Sequence, residues 1–326
     1  MAPTSAAATN IANHHNQPKQ KVVLIMGPTG SGKSKLSIDL STLYFNSSTE
    51  IINSDKMQLY NGLEITTNKI SEIDRKGVTH HLLGDFYYTK STPEFTPSAF
   101  RSKGEEIISE ITLKRRVPFI VGGSNSFIYS LLAKTFDPNL DFFDESTHVD
   151  FSCMELRYDC CFIFVNVDLH VLNEYLDMRV DEMLDSGMFE ELAEFFESEL
   201  SKLDNHFGIK KAIGVPEFET YLKQFYNCGG PDVEEYERAV RLIKENTRML
   251  AKRQMWKIQR LREAGWDLHK IDATQAIRAA IEGRRKKKEV EVEAAIDGGK
   301  VDDEKCVWEK IVLEPSAKVV KKFLME

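Results

Sequence analysis

Apolar positions along this chain follow two rhythms. Short unbroken runs, VVLI at 22–25, FIV at 119–121 and CCFIFV at 160–165, alternate with longer stretches in which apolar residues recur every three or four positions. Unbroken runs of that length predict strands buried on both faces, and the wider spacing predicts helices with one apolar stripe. A shorter run, EIIN at 50–53, ends in a polar cluster and reads as one more strand. Strand, helix and turn recurring in this order predict an α/β fold with a parallel sheet, whose ligand sits beyond the carboxyl ends of LIM, IIN and FIV. From Leu169 to about residue 262 the pattern is mostly helical. There, VEEYERAVRLIKENTRMLAKRQMWKIQRLREAG sets Tyr236, Val240, Ile243, Leu250 and Ile258 on one stripe and stops at Gly265. GRRKKKEVEVEAAIDGGKVDDEK, at 283–305, puts a basic run before an acidic one and reads as a solvated linker or loop. VWEKIVLEPSAKVVKKFL then predicts a short strand and a closing helix.

The first run leads into MGPTGSGKSKLSIDL, at 26–40. Gly27, Gly32, Lys33 and Ser34 complete the pattern G-x-x-x-x-G-K-[ST], with Pro28, Thr29, Gly30 and Ser31 between them. Such a loop closes its backbone N–H groups on a polyphosphate, adds the lysine's charge, and offers the serine hydroxyl to a magnesium ion. The anion then sits at the N-terminus of the helix that carries Leu36 and Leu40. The expected architecture is therefore a P-loop NTPase-like parallel sheet flanked by helices, with a mostly helical C-terminal half. It divides into a disordered or targeting tail at 1–20, an α/β core at 21–168 and a helical substrate-capping region at 169–272. A charged linker at 273–305 and a strand and helix returning to the core at 306–326 complete it. The loop alone does not name the owner of the phosphate.

Composition narrows the choice. The 326 residues are 42% hydrophobic and 29% charged, ordinary globular values, and no apolar run approaches the roughly 20 residues that span a bilayer. The net charge of −8 argues against a surface built wholly for nucleic acid and leaves room for a local basic cleft. Five cysteines with no C-x-x-C pair support neither a disulfide framework nor a zinc site, which fits a reducing compartment. Residues 1–20 lack acidic side chains and are rich in Ala, Ser, Thr and Asn, matching an organellar transit peptide in part but without its arginines. Plastid and cytoplasm both remain open as locations, and so does the oligomeric state.

Asp55 and Gln58 lie in NSDKMQLY, just past the second strand. In an ordinary NTPase an Asp there holds magnesium. Taken together, GPTGSGKS, IINSDKMQ and FIVGGS resemble the isopentenyltransferases that prenylate adenine on its exocyclic nitrogen. The resemblance continues through GVTHHLLGDF, LRYDCCFIFVNVD, YLDMRVDEMLDSGMFEEL, GIKKAIGVPEF and NTRMLAKRQ, and WEKIVLEPSAKVVKKFL resembles the tail of the plant adenylate branch. It implies that the loop cradles the diphosphate of dimethylallyl diphosphate, that ADP or ATP, with AMP as a further option, enters from the other side, and that the phosphate is a leaving group. The product would be a prenylated adenine nucleotide, which implies the first step of cytokinin synthesis.

The chemistry suits the residue types. Adenine's amino nitrogen is a poor nucleophile, so a carboxylate that takes its proton helps the attack, and Asp55 is the candidate base. Lys33, the loop N–H groups and a magnesium ion on Ser34 would stabilise the departing pyrophosphate. By resemblance, Thr29 and Arg157 contact that diphosphate, and Lys210, Lys211, Lys252 and Arg253 face the acceptor's phosphates. Ser54, Gln58, Asn68, Lys69 and Ser124 are further candidates for acceptor contacts. His80 and His81 lack a second ligand at metal spacing and read as structural or substrate-positioning groups.

Three rival readings stand beside this one. A transfer-RNA isopentenyltransferase performs the same chemistry on an anticodon loop. It is disfavoured by the short stretch between Ser124 and Arg157, where those enzymes carry a helical insertion, and by the lack of paired cysteines, but AKRQMWKIQRLR could meet an RNA backbone. A small-molecule kinase would use the loop for ATP. A nucleotide switch would leave Gln58 and GGSNS without a role.

Overall fold

The computed structural model describes residues 18–89, 94–144, 155–198, 208–228, 233–293 and 302–326. Among them, six strands form one parallel sheet in the order β3-β2-β4-β1-β5-β6. The strands are β1 (Lys21–Met26), β2 (Thr49–Asn53), β3 (His80–His81), β4 (Val117–Gly122), β5 (Asp159–Asn166) and β6 (Leu268–Asp272). The central strand β1 pairs with β4 on one side and β5 on the other, with Met26 opposite both Gly122 and Phe164. The chain leaves β1 through α1 (Lys33–Leu43), reaches β2 beyond β4, and comes back through α2 (Pro97–Leu113) to fill the gap with β4. α3 (Asn125–Leu132) then leads across β1 to β5. Connections therefore diverge at the carboxyl end of β1, where a parallel sheet opens a crevice.

The unbroken apolar runs are explained by a sheet covered on both faces. Val23, Ile25, Ile51, Phe119, Ile163 and Val165 pack on one face against α1, α4 (Leu169–Asp185) and the C-terminal helices. Val22, Leu24, Met26, Ile52, Ile120 and Phe162 pack on the other against α2, α3 and the far half of α7 (Val233–Glu263). A third cluster has no sheet in it. Val180, Met188, Leu192, Phe218 and Ile243 join α4 to α5 (Met188–Glu197), α6 (Val215–Cys228) and the near half of α7, making the helical part that overhangs the strand ends. None of the described helices is long and apolar enough to cross a membrane.

Two expectations are corrected. Residues expected as a linker form α8 (Thr274–Glu293), following the unforeseen strand β6. Arg, Lys and Glu are good helix formers, and Arg284 and Arg285 hold the helix to α4 through Glu182 at 2.7 Å and Glu174 at 2.6 Å. Residues 294–301, and residues 1–17 of the expected tail, lie outside the described residues. The expected C-terminal strand is instead α9 (Asp302–Trp308), a π-helical turn (Glu309–Leu313) and α10 (Glu314–Met325). A four-residue apolar run does not separate strand from helix, and here Trp308, Val312, Ser316 and Val320 make a buried stripe at intervals of four.

Candidate active site

The three polar strand ends meet. Ser54 N–H donates to Val121 O at 2.8 Å, Ser124 N–H donates to Ser54 O at 3.1 Å, and Lys56 N–H donates to Ser124 Oγ at 2.9 Å. The segment after β2 is thus stitched to the segment after β4, beside the phosphate loop that follows β1. Asn53 fixes the turn that carries Asp55, since its Nδ2 donates to Leu82 O at 2.9 Å and its Oδ1 accepts from Asp55 N–H at 3.2 Å. Asp55 Oδ1 accepts from Met57 N–H at 3.0 Å. Oδ2 has no hydrogen-bond partner among the described residues.

Distant elements brace the loop itself. Gly30 has φ +79°, and a Cβ there would lie 2.7 Å from a methyl of Leu176 on α4, so only glycine fits the turn where the helix presses on it. Thr29 is held twice. Its N–H donates to Gln254 Oε1 of α7 at 2.7 Å, and its Oγ1 accepts from Arg179 Nη2 of α4 at 2.8 Å. Lys33 Nζ donates to Pro28 O at 2.7 Å, arching over the loop. Burial pulls its pKa down to about 8 against the opposing pull of the Asp55 carboxylate. Ser31 Oγ is buried without a partner, the condition of a polar group that awaits a ligand or water.

Arg179 is the cation that the sequence reading missed. It forms no ion pair among the described residues, its Nε is buried without a partner, and burial lowers its pKa from the usual arginine value. A guanidinium keeps its charge under such conditions, so the site holds a buried positive charge beside the loop, with the Asp55 and Glu182 carboxylates acting on it from a distance. Its signal was present as RVDEML within the stretch that carried the family resemblance.

Arg157 is corrected. Lys21 at the start of β1 pairs with Asp159, whereas the phosphate loop follows Met26 at the other end. At about 3.3 Å per residue, Arg157 is therefore more than ~20 Å from the loop. Its Nη2 pairs with Glu105 at 2.5 Å and its Nη1 donates to Leu131 O at 3.3 Å.

Thr29, Asp55, Arg179 and Gln254 form the polar end of a cavity of about 430 Å³, within the size range of small-ligand sites. Val180, Met183, Met188, Ile213, Ile243 and Leu250 supply an apolar wall. Gln58, Asn68, Ser124, Lys211 and Arg253 also line it, together with Lys56, Glu217, Asn246 and Thr247, which the sequence reading did not single out. Gln58 Nε2 donates to Thr67 O at 3.1 Å and Asn68 O at 3.0 Å, and so shapes the cavity rim. Lys56 and Lys211 share the carboxylate of Glu94, the latter at 3.1 Å.

Other candidates fall elsewhere. Ser54 is buried behind the rim with an unpartnered Oγ. Lys69 is buried and donates to Gly62 O at 2.5 Å and Glu64 at 3.1 Å, within its own loop. It faces a second cavity of about 540 Å³ that meets the first at Asn68, Arg179 and Met183. Lys210 lies on a 3₁₀ turn and Lys252 is exposed on α7, neither of them on the cavity wall. His80 Nδ1 hydrogen-bonds Val78 O at 2.8 Å and His81 Nε2 hydrogen-bonds Glu50 at 2.7 Å, both at β3.

With this geometry in place, known proteins supply the comparison. The family model described as IPP transferase matches residues 58–152 and 140–260. The chain is 49% identical over 319 residues to the adenylate isopentenyltransferase of Humulus lupulus, covering 93% of this chain and 90% of that protein. It is 50% identical over 311 residues to adenylate isopentenyltransferase 4 of Arabidopsis thaliana, covering 93% and 92%. It is 46% identical over 317 residues to the chloroplastic adenylate isopentenyltransferase 1 of the same plant, covering 94% and 82%. Among solved structures, a eukaryotic dimethylallyltransferase acting on tRNA shares the fold at a TM-score of 0.64 and 22% identity, covering 90% of this chain and 84% of that one. The full-length tRNA isopentenylpyrophosphate transferase of Bacillus halodurans does so at 0.64 and 22%, covering 94% and 99%.

Proposed function

Since the chain belongs to the IPP transferase family, we propose that it moves the dimethylallyl group of dimethylallyl diphosphate onto the N6 amino group of ADP or ATP, with AMP as a further acceptor. Pyrophosphate leaves, and the product is the first intermediate of cytokinin biosynthesis. One observation carries the reading of the site. Asp55 and the Thr29–Arg179 pair line the same cavity, so a proton acceptor and an anion-binding cation face one volume.

The steps follow from that placement. The diphosphate sits on the loop N–H groups at the head of α1, with Lys33 and Arg179 flanking it. As N6 attacks the allylic carbon, the bond from that carbon to the diphosphate oxygen breaks and its electron pair leaves with the pyrophosphate. Charge grows where the two cations stand, so they bind the transition state better than the ground state. The N6 proton passes to Asp55. Met183, Met188, Ile243 and Leu250 give the five-carbon group an apolar wall and limit water near the allylic centre. Lys211, Arg253 and Lys56 offer charge to the acceptor's phosphates at the cavity rim.

Magnesium fits the donor set. Ser34 is exposed on the first turn of α1 with a hydroxyl that no described side chain engages, and no cluster of three His, Cys, Asp or Glu exists among the described residues. Such a sparse set suits an ion whose remaining ligands are substrate phosphate oxygens and water. Bound there, it would neutralise charge on the leaving pyrophosphate. For the compartment, the acid-free first twenty residues and the chloroplastic names of several relatives support a plastid over the cytoplasm. Imaging a fluorescent protein fused to residues 1–40 distinguishes them.

The deciding experiment incubates the protein with magnesium and dimethylallyl diphosphate, offers AMP, ADP, ATP and unmodified transfer RNA in parallel, and weighs the products. A prenyl mass gain on ADP or ATP is expected. Gain on the RNA alone, or phosphate transfer with the prenyl donor intact, overturns the reading.

A further inference from the structure

The phosphate loop is braced from the C-terminal end of the chain. Gly32, the N-cap of α1, has φ +90°, and a Cβ there would lie 2.6 and 2.8 Å from Cη2 and Cζ3 of Trp308. The indole therefore packs directly against the backbone whose N–H groups begin the helix. The ring is itself locked. Its Nε1–H donates to the buried carboxylate of Asp39 on α1 at 3.0 Å, and Lys35, which pairs with the same carboxylate at 2.5 Å, lies over the ring at 4.9 Å. Immediately after Trp308 the chain makes its π-helical turn, which places Val312 and Leu313 in the core. Beyond it Lys21 Nζ, at the start of β1, donates to Phe323 O at 2.7 Å. The C-terminal segment thus runs from the head of β1 to the loop at its end.

We propose that Trp308 is a positioning residue for the donor diphosphate: by clamping the Gly32 backbone against Asp39 it holds the loop N–H groups in their anion-binding arrangement before the ligand arrives. This rests on the reading of the loop as the diphosphate site. Ordering a glycine-rich loop costs free energy on binding, and a clamp that orders it beforehand lowers that cost. The contribution falls on donor affinity. The proton transfer at Asp55 and the acceptor rim lie on other elements, so turnover and acceptor KM are left nearly untouched.

The test uses the full chain, whose three tryptophans are Trp256, Trp266 and Trp308. In a Trp256→Phe, Trp266→Phe protein the only indole is the one against Gly32. Titration with inorganic pyrophosphate and magnesium is expected to change its emission, saturating at the concentrations at which calorimetry records binding. Trp308→Phe keeps a ring in the core but loses the bond to Asp39. It is expected to raise the KM for dimethylallyl diphosphate by about three- to tenfold, the scale of one hydrogen bond, with kcat and the KM for ADP within about twofold. Calorimetric binding without any change in Trp308 emission, or a Trp308→Phe enzyme with lowered Tm and unchanged donor KM, overturns the proposal and leaves the donor site standing. If the unsubstituted chain binds no pyrophosphate, the donor reading falls and this proposal with it.

Discussion

Arg179 Nη2 donates to Thr29 Oγ1 at 2.8 Å across 150 residues of chain, so a cation carried by α4 enters the phosphate loop. The reach depends on Leu176, one turn earlier on the same helix, which presses on Gly30 and fixes how close the helix lies. Arg179→Ala is expected to lower kcat/KM for dimethylallyl diphosphate by about 10²- to 10³-fold, the scale of one lost transition-state charge contact. Arg179→Lys recovers only part, because a compact ammonium on a shorter side chain does not reproduce the planar, widely spaced donors of the guanidinium. Arg157→Ala is expected to stay within about threefold of the unsubstituted enzyme in kcat/KM, because its partners Glu105 and Leu131 O lie at the far end of the sheet from the loop. Steady-state kinetics with varied donor check all three.

Asp55 lines the cavity, and its Oδ1 is held by the Met57 N–H while Oδ2 has no hydrogen-bond partner among the described residues. Asp55→Ala and Asp55→Asn are expected to cut turnover by roughly 10²- to 10⁴-fold while pyrophosphate still binds. Single-turnover product formation and calorimetry on the same preparations separate the two effects, and near-normal turnover in either variant removes Asp55 as the base.

Lys33 gives the unliganded site a pH dependence. Its ammonium is lost as pH rises through about 8, and the diphosphate needs the charged form. Pyrophosphate affinity should therefore be full below that value and decline above it. Lys33→Arg stays charged, so its affinity should lack this decline, while the ionisation of pyrophosphate itself is common to both proteins. Calorimetric titrations between about pH 7 and about pH 9.5 read the difference.

Gln254 ties α7 to the loop. Its Oε1 accepts the Thr29 N–H, and its Nε2 would lie 2.2 Å from a Cβ on Gly123, leaving no room for a side chain there. Gln254→Leu is similar in size but strands a backbone donor, so pyrophosphate affinity should fall by about fivefold or more. Gln254→Glu keeps an acceptor for Thr29 but sets a carboxylate beside the anion site, so it should recover Tm relative to Gln254→Leu while pyrophosphate affinity stays low. Gly123→Ala should lower Tm by displacing the same side chain. Thermal unfolding and calorimetry check the set.

The site was legible where its signal was local. Loop glycines, Lys33 and Ser34 are consecutive or nearly so, and Asp55 follows its strand by two residues, so both could be placed from the pattern alone. The basic residues were legible only as a class. Lys211 and Arg253 reach the cavity while Lys210 and Lys252 do not, because neighbours point about 100° apart on an α-helix and about 120° apart on a 3₁₀ turn, and only the docked element decides which one faces inward.

By itself the sequence determined the buried parallel strands, the anion-binding turn and the place of Asp55 at a strand end, because backbone geometry ties each of these to a few adjacent residues. Tertiary structure alone decided that Arg179 rather than Arg157 serves the loop, since strand direction puts Arg157 at the amino edge of the sheet. It also decided that the charged run after Thr274 is a helix held to α4, and that Trp308 from the C-terminal segment lies under Gly32. Such contacts join residues far apart in the chain, and their free energy exists only once the sheet and its covering helices have packed, so no local pattern announces them.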